Sequence, residues 1–267
     1  MNSNATRSAT PRPAATVLVL RDSTPGIEVL MVRRSPTASF MPNAYVFPGG
    51  AVDIADSSLP SDESDDEIET RLGRAFAFNG AARSFAVAAC RETFEESGLW
   101  LGLDDPAIDL AKPRHELSTG TSIGEIAHRH RLPVSTSMLQ PWSRWVTPFG
   151  LPKRFDTVFF VCQAPRGQVP AVDAAETTAL HWIDPAYAMA ECEQGRFQME
   201  FATRAIIRSL LPLAGGTVDR YLAHARGLRN LAAVHPRVHV DSSGKRRALM
   251  PGEAGYDELP GDPSPIR

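Results

Sequence analysis

A run of glutamates near the end of one predicted helix constrains this chain more than any other feature. Residues 81–97 have helical spacing, and Gly98 follows them as a residue type that often ends a helix. At about 100° per residue, Glu92, Glu95 and Glu96 fall on one face of that helix, away from its apolar side chains. The sequence therefore predicts an amphipathic helix whose polar face carries three carboxylates.

Two interpretations of this acidic face stay open on spacing alone. Carboxylates three and four positions apart on a helix repel each other, and acids in the last turn oppose the helix dipole. A hard divalent cation such as Mg²⁺ would remove the repulsion because it prefers oxygen ligands. A solvated acidic surface would show the same spacing.

Short apolar runs on both sides of this helix predict a β-sheet. Strands are predicted at 16–20, 27–33, 45–47, 99–101, 142–146, 156–162 and 178–183. A further helix is predicted at 123–130, and 185–226 is largely helical with a break at Gly215 and Gly216. Strands interleaved with helices are typical of an α/β or α+β fold.

Two polar segments are predicted to lie outside the core. Residues 1–13 are polar and proline-containing, which predicts a flexible tail. Residues 53–80 are rich in acids and serines and are predicted to form a mobile loop, since such a segment offers little apolar surface to bury. A calcium loop is the alternative, but the acids lack the spacing of an EF-hand.

Charge and cysteine content narrow the class of protein. A net charge of −3 gives no reason to expect a nucleic-acid partner. No apolar run reaches the length of a membrane span, so no membrane partner is expected. Three widely spaced cysteines form no disulfide framework, which favours a reducing compartment, and we expect the cytoplasm. The sequence is compatible with a homodimer.

Two motifs together resemble the signature of a known family. Arg91-Glu-x-x-Glu-Glu-x-Gly98, followed by an apolar residue, resembles the second half of the Nudix box. Val-Phe-Pro-Gly-Gly at 46–50 resembles the strand and glycine turn that open the box. The chain is identified as a member of the Nudix superfamily. This implies an α/β/α sandwich with a mixed sheet, formed by 14–267 as one domain, with extra C-terminal helices at 185–230.

The resemblance also implies roles for residues of the box. Glu92, Glu95 and Glu96 are implied as ligands of Mg²⁺ or Mn²⁺, with the Gly49 carbonyl as a further ligand, and Glu95 and Glu96 as catalytic. Structural roles are implied for Arg91, Gly50 and Gly98, with Arg91 orienting a helix glutamate.

Residues outside the box are candidates for the rest of the chemistry. Glu176 is a candidate to take a proton from water or to contact the metal, with an ordinary loop acid as the alternative. Arg33, Arg34 and Arg154 are candidates to bind substrate phosphates through their planar donors, with surface salt bridges as the alternative.

The box departs from the family pattern in one respect. Gly50 and Arg91 are 41 positions apart, far more than the uninterrupted box allows, so residues 57–80 are interpreted as an acidic insertion within it. The middle carboxylate of the box is then uncertain in position. The family spacing, counted forward from Gly50, places it at Asp56; counted back from Arg91, the same spacing places it at Arg83.

Flanking segments favour one branch of the superfamily. Residues 33–42 and 142–160 are similar to the coenzyme A diphosphatase branch. The resemblance implies a small nucleotide-type substrate, and coenzyme A or acyl-CoA is the first candidate. ADP-ribose, a dinucleotide or a nucleoside diphosphate sugar remain alternatives. A non-catalytic Nudix-fold ligand sensor is a further alternative, although such modules tend to lose the helix glutamates that this chain keeps.

Overall fold

The computed structural model describes residues 9–38, 41–76, 80–105, 108–172, 177–244 and 246–262. Its main sheet has seven strands in the order β3-β2-β1-β6-β5, with β4 paired to β1 and β7 paired to β2. The pair β1–β6 is parallel and the other pairs are antiparallel, so the sheet is mixed. The strands are β1 (Arg12–Ser23), β2 (Gly26–Arg34), β3 (Tyr45–Val46), β4 (Gly49–Ala51), β5 (Gln140–Val146), β6 (Phe155–Gln163) and β7 (Thr177–Ile183).

Helices and a separate hairpin complete the described part of the chain. The α-helices are α1 (Asp65–Ile68), α2 (Arg74–Phe76), α3 (Ala82–Ser97), α4 (Ala111–Ser118), α5 (Ile123–His130), α6 (Pro185–Glu193), α7 (Phe201–Leu210) and α8 (Val218–Gly227). A π-helical turn at Glu69–Gly73 joins α1 to α2, and 3-10 turns lie at Ile54–Ser58, Thr136–Met138 and Leu211–Leu213. Strands β8 (Arg237–Val240) and β9 (Arg246–Leu249) form the hairpin.

The sheet is covered by a helical layer on each face. Along β1, Val17 and Val19 belong to a core cluster shared with α3 and α5, whereas Leu18 and Leu20 belong to a cluster shared with α6, α7 and α8. Side chains alternate between faces along a strand, so a run of apolar residues that are all buried identifies a strand covered on both sides. The expected α/β/α sandwich is confirmed, and the C-terminal helices supply its second layer.

The prediction that 53–80 is a mobile loop is wrong. The described residues of this segment form α1, the π-helical turn and α2. Their apolar side chains Ile68, Leu72 and Phe76 are at most 1% exposed. Phe76 packs edge-on against Phe160 of β6, with ring centroids 5.8 Å apart. The segment therefore contributes directly to the core.

Two further boundaries differ from the sequence predictions. Residues 99–101 are buried but form no strand; the Trp100 backbone N–H donates to the side chain of Gln168 (2.8 Å) instead of to a neighbouring strand. Strand β1 begins at Arg12, which pairs with Phe155, so the tail ends earlier than predicted. None of the helices that the structure describes has the length and apolarity of a transmembrane span.

Candidate active site

Helix α3 presents two chemically different faces at its C-terminal end. Phe94 is 1% exposed and packs against Trp100, with ring centroids 4.8 Å apart. Gly98 follows the helix with φ of 65°, a left-handed conformation that glycine adopts readily, and its N–H donates to the Phe94 carbonyl (2.7 Å). This anchoring turns Glu92, Glu95 and Glu96 toward the glycine turn at β4.

The glycine turn lies against the glutamates with no room for side chains. The Gly49 N–H donates to Oε2 of Glu96 (2.9 Å). A Cβ at Gly49 would lie 2.4 Å from the Ala15 carbonyl oxygen, and one at Gly50 would lie 2.5 Å from the Glu92 carboxylate. Glycine at both positions therefore permits the close approach of backbone and carboxylates.

Arg91 connects two of the three glutamates. Its Nη1 donates to Oε1 of Glu92 and to Oε2 of Glu95, each at 2.8 Å, and its Nη2 donates to the Ala51 carbonyl (2.9 Å). Burial acts to lower the pKa of Arg91, but its bonds to Asp56 and the charges of the glutamates raise the pKa above the usual arginine value. A permanently charged guanidinium thus holds two carboxylates on one side of the helix.

Asp56 completes this cluster from the 3-10 turn after β4. Arg91 Nε donates to Oδ1 of Asp56 (2.7 Å) and Nη2 donates to Oδ2 (3.1 Å). The Asp56 side chain is fully buried and also accepts from the Asp53 N–H (2.7 Å). Of the two positions reached by counting, Asp56 is the one that contacts Arg91. Its six-residue distance from Gly50 was the signal in the sequence that could have identified it.

The cluster carries more negative than positive charge. Burial is the main cause that raises the pKa of Glu95 to about 7; the charges of Glu92 and Asp56 add to the shift, and Arg91 opposes it. Hard carboxylate oxygens under mutual repulsion are the donor set that Mg²⁺ or Mn²⁺ prefers. The residues present therefore fit a divalent cation at this face.

Comparisons with known proteins agree with this geometry. The model of the NUDT19 Nudix domain family matches residues 69–199, which include α3 and strands β5 to β7. A NUDIX hydrolase from Alicyclobacillus acidocaldarius is similar in structure, with a TM-score of 0.64 and 28% sequence identity; the match covers 84% of this chain and 99% of that one.

The chain belongs to the Nudix hydrolases.

Two curated relatives share one name. The acyl-coenzyme A diphosphatase NUDT19 of Xenopus laevis is 29% identical over 211 residues, covering 63% of this chain and 56% of the relative. The human protein of the same name is 28% identical over 209 residues, covering 61% of this chain and 55% of the relative. The chain thus matches little more than half the length of these relatives.

The Nudix glutamates are not arranged as a finished metal site. Among the described residues, no three His, Cys, Asp or Glu side chains converge on one point. Glu92 and Glu95 bond to Arg91, and Glu96 bonds to the Gly49 N–H. Each of these bonds uses one carboxylate oxygen, so bringing the glutamates onto one cation requires a shift of their side chains and can use the second oxygen of each.

The start of β7 adjoins the end of the Nudix helix. The Thr177 hydroxyl donates to the Glu96 carbonyl (3.3 Å). Glu176, the candidate base, precedes Thr177 in sequence but lies outside the described residues, and so does Asn79, which precedes α3. The proposed role of Glu176 therefore rests on its position in the sequence.

Arg33 and Arg34 end β2 on the side of the sheet next to β7. Arg34 pairs in register with Thr177, which itself contacts Glu96. Arg33 Nη2 donates to the Asn43 side chain (3.2 Å), while its Nε is buried without a hydrogen-bond partner among the described residues. Both arginines thus belong to the strand end that adjoins the Nudix helix.

The prediction that Arg154 binds substrate is corrected by its surroundings. Arg154 is 3% exposed, and its guanidinium donates to the carbonyls of Thr147 (3.1 Å) and Ala9 (3.0 Å) and to the Asp262 carboxylate. These bonds hold the start of β1 and the C-terminal segment against the β5–β6 loop. A side chain so enclosed by protein acceptors serves the fold.

Proposed function

We propose that this Nudix hydrolase is a divalent-metal-dependent diphosphatase acting on coenzyme A or acyl-CoA. The observation that carries the proposal is the cluster in which Arg91 joins Asp56, Glu92 and Glu95 while Glu96 meets the Gly49 N–H. A diphosphate resists attack because its oxygens repel a nucleophile. A cation held by carboxylates at this face would neutralise part of that negative charge.

The helix glutamates would hold the cation. Glu92, Glu95 and Glu96 supply carboxylate oxygens, and the Gly49 carbonyl is a further candidate ligand. A bound Mg²⁺ or Mn²⁺ would neutralise part of the diphosphate charge and would lower the pKa of the attacking water. Arg91 keeps the carboxylates on one side because its guanidinium is fixed by the buried Asp56.

The proposed reaction is a hydrolysis of the phosphoanhydride. The water oxygen forms a bond to one phosphorus, the bond from that phosphorus to the bridging oxygen breaks, and the bridging oxygen leaves on the other phosphate. A carboxylate takes the proton released by water, and we propose Glu176 for this step. Arg33 and Arg34 are proposed to bind the phosphates; their place at the strand end that adjoins the Nudix helix supports this role.

The substrate is inferred from the relatives. Two of them are named acyl-coenzyme A diphosphatases, and the family model is that of the NUDT19 Nudix domain. Cleavage of coenzyme A at its diphosphate would give phosphopantetheine and adenosine 3′,5′-bisphosphate. The complete set of helix glutamates favours an enzyme over a ligand sensor. We further propose a cytoplasmic location, which cell fractionation tests.

Product analysis tests the proposed activity. The protein is incubated with coenzyme A and Mg²⁺, and the products are identified by mass spectrometry. Phosphopantetheine and adenosine 3′,5′-bisphosphate should appear in equal amounts, and both should form at least a hundredfold more slowly with Glu96→Gln or in excess chelator. Release of inorganic phosphate, or of pantetheine without its phosphate, would instead contradict cleavage at the diphosphate.

A further inference from the structure

The segment that follows β6 is fastened along the residues at the end of the Nudix helix. The Ala171 N–H donates to the Ser97 carbonyl (2.8 Å). The side-chain amide of Gln168 accepts from the Trp100 N–H (2.8 Å) and donates to the Trp100 carbonyl (2.9 Å), so it takes the place that a neighbouring strand would occupy. The two segments therefore run antiparallel, with 171 opposite 97 and 168 opposite 100.

Arg114 of α4 bridges these two segments beside the helix end. Its Nε (3.0 Å) and Nη2 (2.7 Å) donate to the Gly98 carbonyl, and Nη2 also donates to the Val169 carbonyl (2.9 Å). A Cβ at Gly98 would lie 2.5 Å from Nε of Arg114, so the guanidinium packs directly on the residue that ends the helix. One side chain from outside the Nudix box thus holds the helix end to the segment after β6.

An arginine suits this position for two physical reasons. Carbonyls at the C-terminal end of a helix lack partners within the helix, and that end of the helix dipole favours a cation. Arg114 is partly buried and supplies the cation. A planar guanidinium also donates in fixed directions to more than one acceptor, which a lysine ammonium does with less precision. The bridge between the two backbone carbonyls therefore depends on the arginine fork.

The same helix end carries a proposed metal ligand. The Glu96 carboxylate accepts from the Gly49 N–H (2.9 Å), and the Glu96 carbonyl accepts from the Thr177 hydroxyl (3.3 Å) at the start of β7. A movement of the helix end relative to the glycine turn or to β7 would thus displace Glu96. A misplacement of about 1 Å at a reacting centre can lower the rate on the order of a hundredfold.

We propose that Arg114 is a positioning residue for the metal site. By holding the Gly98 and Val169 carbonyls together it fixes the end of the Nudix helix, and with it Glu96, against the segment after β6. The inference rests on the proposed metal-dependent diphosphatase. Arg114 acts through the backbone of the helix end, so its loss changes the metal site without removing a ligand.

Mn²⁺ binding and turnover in Arg114→Gln test the proposal. Mn²⁺ binding, measured by electron paramagnetic resonance without substrate, should weaken at least fivefold. With coenzyme A at saturating Mg²⁺, kcat should fall at least tenfold, whereas KM should change less than twofold because Arg114 does not bind the substrate. Arg114→Lys keeps the cation but loses the planar fork, and it should shift Mn²⁺ affinity and kcat in the same direction by less. This variant decides the question if Arg114→Gln does not fold.

Arg237→Gln is the matched control. Arg237 is partly buried, and its Nη1 likewise donates to two backbone carbonyls, those of Tyr256 (2.9 Å) and Leu259 (3.0 Å) in the C-terminal segment. The variant loses comparable bonds away from α3, and urea denaturation compares its stability with that of Arg114→Gln. Its Mn²⁺ affinity and kcat should stay within twofold of the wild type.

The outcomes separate this inference from the proposed function. If the wild type binds Mn²⁺ but does not cleave coenzyme A, the substrate assignment fails, and the Mn²⁺ affinities alone decide the role of Arg114. The inference is overturned if Arg114→Gln and Arg114→Lys bind Mn²⁺ and turn over like the wild type. It is also overturned if Arg237→Gln loses as much Mn²⁺ affinity and kcat as Arg114→Gln, or if the wild type binds no Mn²⁺.

Discussion

Arg91 and Asp56, 35 positions apart in sequence, form a two-point ion pair in which the aspartate is fully buried. The pair joins the Nudix helix to the 3-10 turn after the glycine strand. The packed insertion lies between the two residues in sequence, so this contact closes the interrupted box in space.

Removing the guanidinium should destabilise the protein. Arg91→Ala leaves Asp56 buried without its cation, and breaking a buried ion pair in this way costs about 3–5 kcal/mol. Urea denaturation measures the change. Arg129→Ala, which removes an exposed partner of Glu116, is the control and should leave the free energy of unfolding nearly unchanged. A similar loss of unfolding free energy in both variants would mean that the buried Arg91–Asp56 pair contributes no more than an exposed ion pair.

The insertion should contribute to stability through its buried face. Ile68 is 0% exposed, so Ile68→Ala should lower the free energy of unfolding by about 2–5 kcal/mol. Ile54 is 93% exposed, and Ile54→Ala should change the free energy of unfolding little. Equal effects of the two substitutions, measured by urea denaturation, would show that the insertion does not pack as described.

The helix glutamates should control turnover more than folding. Glu95→Gln and Glu96→Gln each remove the charge of a proposed metal ligand while keeping the size of the side chain. Each should lower kcat at least a hundredfold at saturating Mg²⁺, with a circular dichroism spectrum like that of the wild type. Near-wild-type kcat in both variants would refute the assignment of these residues to the metal.

The three cysteines should differ in reactivity. Burial raises the pKa of the Cys90 and Cys162 thiols above the usual cysteine value, so both stay protonated near neutral pH. Cys192 is partly exposed. Iodoacetamide at pH 8 should label Cys192 alone in the native protein and all three residues in urea. Early labelling of Cys90 would contradict the packing of α3.

Local patterns predicted the parts of the fold that depend on near neighbours. The glutamate face of α3 and its end at Gly98 follow from helical spacing, and the strands of the sheet follow from short apolar runs. The insertion was misjudged because its acidic composition outweighed a weaker signal, the four-residue spacing of Ile68, Leu72 and Phe76 that marks one face of a helix.

Other features depend on contacts that no local pattern encodes. Arg154 resembled a phosphate-binding residue, but its partner Asp262 is 108 positions away. Residues 99–101 resemble a strand in composition, yet Trp100 bonds to Gln168, 68 positions away. The distance from Gly50 to Asp56 is a local signal, but only the contact of Asp56 with Arg91 distinguishes it from the alternative count, which reaches Arg83.

Substrate preference is the most direct test of the proposed function. The measurement compares kcat/KM for coenzyme A, an acyl-CoA, ADP-ribose, NADH and a nucleoside triphosphate with one enzyme preparation, one Mg²⁺ concentration and one pH. Coenzyme A or its acyl derivative should have the highest kcat/KM of the panel. If ADP-ribose or NADH exceeds coenzyme A by tenfold or more, the coenzyme A assignment is contradicted, and membership of the Nudix hydrolases remains.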